Sequence, residues 1–320
     1  MTRIYITIDT EYSAGMAAAG RAENYNRSIA CFTRGGGVGI HYQMDVLDRH
    51  GLKGVFFVDP MPALLWGTAA IADIVRPIVA RGHDVQLHCH AEWLQIAGPA
   101  NPFPGKTAGN IGELSFDDQC RVIAFARETL VAAGAPPPVA FRAGNYGAND
   151  DTLRALALLG MRYDTSHAPG IANSPCNITL TDADCAPVAH RGIVEVPIGC
   201  VTTFGGRRRH AQITAVTSWE MLAGLRHARD IAAASFTVVS HSFELLSRDR
   251  RRINRIITGR FEHFCNGIAR MAGVDSATYT DHPPVAETST RVDAAMPASQ
   301  IRSGYRLAEQ AVSNLLYGSR

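Results

Sequence analysis

Apolar positions along this chain gather into short runs dense in Ile, Val and Phe, separated by longer stretches with helical spacing. The runs at residues 4–9, 53–58, 84–88, 139–142, 161–164, 194–198 and 236–241 are predicted strands, because β-branched and aromatic residues suit a pleated, buried surface. The intervening spacing predicts helices over 42–50, 69–80, 115–133, 150–159, 218–233 and 251–271. Punctuation agrees: Ser115 stands at an N-cap position, and Gly51, Gly134 and Gly160 stand where helices stop. Strands that read as nearly continuous apolar runs between helices imply a parallel sheet covered on both faces. Seven such units predict an α/β fold, a distorted (β/α)7-type barrel, with an open doubly wound sheet as the runner-up.

Three further features refine that outline. No Gly-x-Gly-x-x-Gly turn follows the first strand, which removes the main support for a dinucleotide fold. Gly35-Gly36-Gly37 follows no predicted strand and reads as a loop entering a helix. After residue 275 the character changes: residues 276–298, rich in Thr, Ser, Pro and Ala, read as a linker, and Ile301, Tyr305, Ala308, Val312 and Leu315 mark a helix over 299–317. The expected organisation is therefore a barrel over 1–275 and a linker with a C-terminal helix over 276–320. That helix is expected to pack back on the barrel or to bind a partner.

Composition narrows the class. The 320 residues are 46% hydrophobic and 19% charged, with a net charge of +2, a globular balance that argues neither for disorder nor for nucleic acid. The basic runs Arg207-Arg208-Arg209-His210 and Arg248–Arg252 read first as solvated faces, and second as a site for a phosphate-bearing or lipid-linked substrate. No stretch approaches the ~18 apolar residues of a membrane span. The N-terminus enters its first strand without the pattern of a signal peptide, so a cytoplasmic location is expected. The seven cysteines are scattered with no Cys-x-x-Cys pair and are expected to be reduced.

The chemistry lies in where the polar residues fall. Asp9, Asp59, His88, Arg142, Asp164 and His241 each sit at or just past the end of a predicted strand. A strand buried on both faces should not end in ionisable groups without cause, and in parallel barrels the C-terminal strand ends converge on one reactive face. In Asp9-Thr10-Glu11 two carboxylates project to the same side, one suited to a metal and the other to a base. In His88-Cys89-His90-Ala91-Glu92 alternation puts the two histidines on one face with a carboxylate following, the donor set of a catalytic metal centre. Arg142 is expected to pair with a carboxylate, and the glycines of Gly144-Asn145-Tyr146-Gly147 let backbone amides approach a ligand. His241, ending an apolar strand, is placed for proton transfer. Trp66, Trp93, Tyr12 and Tyr146 are candidate stacking surfaces for a sugar.

In this order, these clusters resemble the motifs of the polysaccharide deacetylases, carbohydrate esterase family four, also called the NodB homology fold. The resemblance spans roughly residues 3–272. It implies that Asp9 is the catalytic base and Glu11 a metal ligand, Thr10 standing where the family usually has a metal aspartate. It implies that His88 is the first histidine ligand and leaves the third ligand open between His90 and Glu92. Arg142 would pin the base, the Tyr146 amide would join an oxyanion hole, Asp164 would orient groups near the acid, and His241 would be the acid. The implied cofactor is a divalent ion, zinc first, with cobalt, nickel or manganese as alternatives. The implied reaction is hydrolysis of an acetamide on an N-acetylated sugar, oligosaccharide or glycolipid precursor. A deformylase or cyclic-amide hydrolase, or a carbohydrate-binding relative without catalysis, are the other readings.

Overall fold

The computed structural model describes residues 1–287 and 296–318. Beside two short hairpins, Phe32–Thr33 with Gly36–Gly37, where a plain loop was expected, and Cys200–Thr202 with Arg208–His210, the strands of the main sheet are β1 (Thr2–Thr10), β2 (Gly54–Val58), β3 (Asp84–Cys89), β4 (Ala140–Ala143), β5 (Tyr163–Asp164), β6 (Val188–His190), β7 (Ile193–Glu195), β8 (Ser235–His241) and β9 (Val274–Ser276). They form one curled sheet in the order β8-β1-β2-β3-β4-β5-β7-β6, with β9 pairing the start of β1. Every pairing is parallel except that of β6 with β7. The helices α1 (Ile40–Arg49), α2 (Thr68–Ala80), α3 (Phe116–Ala132), α4 (Asp150–Leu158), α5 (Ser218–Asp230) and α6 (Arg255–Ala269) connect the strands, and α7 (Gln300–Tyr317) follows. The chain is α/β, a parallel sheet curled into a distorted barrel, as its patterning predicts.

Strand alternation sorts two hydrophobic layers. Ile4, Ile6 and Ile8, with Phe56, Val58, Val85, Leu87 and Phe141, face outward into the layer shared with the helices. Tyr5, Val55, Phe57, Ala140 and Tyr163 face the barrel interior. Continuing the inward alternation past Tyr5, Phe57 and Ala140 leads to Asp9, Asp59 and Arg142 at the C-terminal strand ends. The pattern that builds the core therefore also delivers the polar groups to one mouth. On that side the run after β7 closes the curl: the Val196 amide donates to Asp164 O (2.8 Å), Ile198 to His167 O (2.9 Å) and Gly199 to Thr237 O (2.9 Å).

Several boundaries differ from the sequence expectation for local reasons. The 194–198 strand ends at Glu195, where the chain leaves β5 to bridge to β8. The antiparallel strand β6 was not expected, because Val188–His190 is half exposed and has no apolar run. The last barrel helix begins at Arg255, not at residue 251, because the Asn254 side chain caps it, accepting from the Ile256 and Ile257 amides at 3.2 Å.

The first part of the expected linker is packed on the barrel. Tyr279 is fully buried among Tyr5, Phe57 and Tyr163. Its amide donates to Asp84 Oδ2 (2.9 Å), and the Tyr5 hydroxyl donates to His282 O (2.6 Å). This segment plugs the barrel mouth opposite the polar one. Residues 288–295 of the expected linker lie outside the described residues. All seven cysteines are free, with Cys185 and Cys200 sulfurs 3.1 Å apart.

Candidate active site

The sheet register assembles the polar mouth. Asp9 is the Cα partner of His241 across β1 and β8, and His88 that of Arg142 across β3 and β4. Neighbouring strands lie about 4.8 Å apart, so pairs separated by more than 200 or by 54 positions in sequence become adjacent.

Arg142 is fully buried, with its guanidinium stacked 4.3 Å above the Phe57 ring. Its Nη1 donates to Asp9 Oδ1, and its remaining donors face the Thr165 carbonyl and hydroxyl. A buried guanidinium needs such a carboxylate, and the pairing leaves Asp9 Oδ2 free, 3.8 Å from His241 Nε2. On the other ring nitrogen, His241 Nδ1 lies 3.2 Å from Glu244 Oε1. Gln212 supports the same carboxylate, its amide nitrogen donating to Glu244 Oε1. Burial would lower the His241 pKa, but the Glu244 carboxylate, helped by Asp9 and Glu11, outweighs it and raises the value to about 9. The imidazole is therefore cationic at neutral pH.

Beside this pair, Glu11, His88 and His90 converge, their ligand atoms all within 4.8 Å of one another. His88 Nε2 and His90 Nε2 lie 3.1 and 2.6 Å from the same Glu11 oxygen. His88 Nδ1 sits 2.8 Å from Arg142 O, and a carbonyl only accepts, so Nδ1 carries a proton and Nε2 is the nitrogen available to an ion in the cluster. Burial penalises both charges, yet Glu11 holds the His90 pKa well above that of an ordinary imidazole, and His90 and His88 hold Glu11 well below an ordinary carboxylate. The cluster thus demands positive charge beside Glu11. A divalent ion would supply it in place of a proton, with one carboxylate and two imidazole nitrogens as ligands, so the residues fit such an ion.

The two candidates for a third ligand stand in different places. His90 belongs to the convergent cluster. Glu92 stands behind it, 40% exposed, with Oε1 3.4 Å from His90 Nδ1. Gly144 makes room for the His90 ring: an added Cβ would stand 2.6 Å from Cγ and 2.7 Å from Nδ1. Gly144→Ala is therefore expected to displace His90 and weaken metal binding by about 10–100-fold without unfolding the barrel, as read by metal titration alongside circular dichroism.

Asp59, at the end of β2, is fully buried, with Oδ1 accepting from the Met61 amide (3.1 Å) and facing that of His90 (3.5 Å). Its Oδ2 has no partner, and burial, against the pull of His90 and His88, raises its pKa to about 6.

Tyr146 lies on a turn in which Asn145 and Tyr146 both have left-handed φ, at 55° and 60°. Non-glycine residues adopt that region rarely, Asn more readily than Tyr, and such strained residues cluster at functional sites. The turn closes through Gly147 N to Gly144 O and Ala148 N to Tyr146 O, without using the Tyr146 amide. The ring packs on the cluster of Ala168, Ile198 and Val239, and its hydroxyl is buried without a partner.

Asp164 lies elsewhere. Register pairs it with Phe141, an outward-facing residue, and with Glu195. It accepts from the Ser166 amide and hydroxyl, both at 2.9 Å. Burial and the Asp164 charge raise Glu195 well above its ordinary pKa, which favours its neutral form. The group facing His241 is Glu244, which sequence reasoning missed. The only available signal was its spacing three residues beyond His241, common to any helical turn. Of the expected stacking residues, Tyr12 and Trp93 are buried in the core, joined edge-on through Trp66. A cavity of about 500 Å³ opens beside Glu244, between Phe243, Arg250 and α7 residues Gln310 and Tyr317.

No protein-family model and no curated protein matches the chain. Among solved structures, the chain is similar to a Mycobacterium smegmatis protein assigned as a polysaccharide deacetylase, at 18% identity over 91% of this chain and 94% of that one, with a TM-score of 0.58. A polysaccharide deacetylase assigned in Pseudomonas aeruginosa PAO1 aligns at 13% identity over 88% and 92%, with a TM-score of 0.51. The PuuE allantoinase aligns at 12% over 89% and 92%, with a TM-score of 0.52. At these identities the likeness concerns the fold, and the chain has the curled-barrel fold that these polysaccharide deacetylases and the allantoinase share.

Proposed function

We propose that the chain is a metal-dependent hydrolase that cleaves an acetamide on an N-acetylated sugar or glycan precursor. The observation that supports this most directly is the juxtaposition of a Glu11–His88–His90 donor set with Asp9, held by Arg142, and the Glu244-supported His241. An ion bound by Glu11, His88 and His90, zinc by its donor chemistry, would polarise the acyl oxygen and lower the pKa of a bound water toward ~7.

Each remaining role falls to a group of the chain. Asp9, fixed through one oxygen by Arg142, takes the proton of the attacking water on the other. The amide of Tyr146, left free by its turn, donates to the oxygen that gains charge. His241, cationic at neutral pH, returns a proton to the departing amine. The products are acetate and a free amino sugar. Asp164, on the outer face of the sheet, acts at a distance through the Thr165-Ser166 turn that carries the Arg142 contacts.

The acid role has a pH signature. The native environment raises the His241 pKa, so the protonated form is present below it and lost as pH rises through about 9. Turnover is expected to fall across that limb. Glu244→Gln removes the largest raising influence and should move the limb down toward the ordinary imidazole value of ~6.5, measured as kcat against pH.

The activity itself is tested by loading the purified chain with zinc or cobalt and measuring acetate release from N-acetylglucosamine oligomers, in parallel with cyclic and N-formyl amides. Acetate release supports the proposal. Hydrolysis of only the cyclic or formyl amides would assign the same residues to a different amide, and a loaded protein inert to every substrate would reject the reading.

A further inference from the structure

The helix α7 meets the barrel with its polar side. Its buried residues are Ser303, Arg306 and Ser313. Arg306 Nε lies 3.2 Å from Glu220, Asn254 donates to Ser313 at 3.2 Å, and Arg260 pairs with Glu309. Its apolar side chains lie outside: Ile301 is 75% and Leu315 81% exposed, and Tyr305, Leu307, Val312 and Leu316 are about half exposed. Six of the fourteen large hydrophobic residues exposed among the described residues belong to this one helix, so the patch is not the ordinary scatter of surface apolar groups. Ile301, Tyr305, Ala308, Val312 and Leu315 follow the alternating four-and-three spacing of a coiled-coil seam.

A second observation points outward from the same face. Gly304 lies inside the helix, where glycine is destabilising relative to alanine. A Cβ there would meet nothing within 4 Å, so no packing within the chain requires the glycine. It does permit a close approach by a backbone from outside, and the exposed Ala308 and Ala311 continue the small-residue edge.

The occupant is identified by what the face lacks. None of the exposed positions of α7 carries a charge. Helices that lie on lipid carry Lys and Arg along their polar side, but here Arg306 is buried against Glu220, and Arg302 donates to Pro297 O. The counter-surface required is apolar and helical with the same seam, which a second copy of the chain supplies by two-fold symmetry. Such pairing would cover on the order of several hundred Å² per copy, approaching the ~800 Å² per partner of a standard interface. We propose that α7 is a homodimerisation helix, packing on α7 of a second copy through the Ile301–Leu315 seam, with Gly304 at the closest approach. Because Gln310 and Tyr317 of the same helix line the cavity beside Glu244, dimerisation would also fix one wall of that cavity.

Sedimentation velocity of the full chain between about 0.1 and 100 μM tests this. A dimer is expected. Ile301→Lys and Leu315→Lys should each raise its dissociation constant by about 30-fold or more, with the circular dichroism of the monomer unchanged. Gly304→Leu should also weaken the dimer although leucine is the better helix former, an outcome that a purely intrachain role would reverse. A monomer throughout the range, a dimer indifferent to all three variants, or co-sedimentation with phosphatidylcholine–phosphatidylglycerol vesicles abolished by Leu315→Lys would each overturn the proposal.

Discussion

Asp9→Asn is expected to lower turnover by about 10²–10⁴-fold, the usual contribution of a positioned base, and also to destabilise the protein by about 3–5 kcal/mol. Both effects arise from one contact. Asp9 is the carboxylate paired with a fully buried Arg142, and its second oxygen faces the imidazole of His241. Asparagine keeps the shape but removes the charge that compensates the guanidinium. The double variant Asp9→Asn with Arg142→Met removes both charges, and it should recover much of the stability while remaining inactive. Urea titration of the three proteins alongside kcat separates the effects. Near-normal turnover in a metal-loaded Asp9→Asn protein would dismiss the assigned base.

The second large effect concerns the proposed metal cluster. One divalent ion per chain is expected in the protein as purified from metal-replete medium. Glu11→Gln and His90→Ala should each reduce affinity by more than the ~10–100-fold typical of an outer-shell loss, and Glu92→Ala should stay within that range. The ranking follows the geometry: Glu11 and His90 contribute atoms to the convergent set, whereas Glu92 only approaches the far nitrogen of His90. Metal content by plasma emission and isothermal titration of the stripped protein read it without any substrate. Equal losses for Glu92 and His90 would mean that the ion sits elsewhere.

The fold was legible because its signal is local. Runs such as residues 54–58 and 236–241 cannot be solvated, and helix stops such as Gly51 and Gly160, both with positive φ, are set by a glycine one position past the last turn. β6 escaped notice because a half-exposed edge strand carries no apolar run, and the Tyr279 plug did because a Thr- and Pro-rich composition says nothing of one aromatic among its neighbours.

The site was legible to the extent that it sits at strand ends. The sequence by itself determined which way a strand residue faces, because the two-residue period fixes inward and outward positions once one residue of the core is known: Tyr5 implies Asp9 inward, Ala140 implies Arg142 inward, and Tyr163 implies Asp164 outward. Only the tertiary structure decided who faces whom. Register across strands far apart in sequence set Asp9 beside His241 and Asp164 beside Glu195, and the turn that leaves β8 brought Glu244 to the imidazole. The physical reason is that alternation is a property of one strand, whereas register comes from packing the whole barrel, to which Phe57, Tyr279 and the helices contribute together.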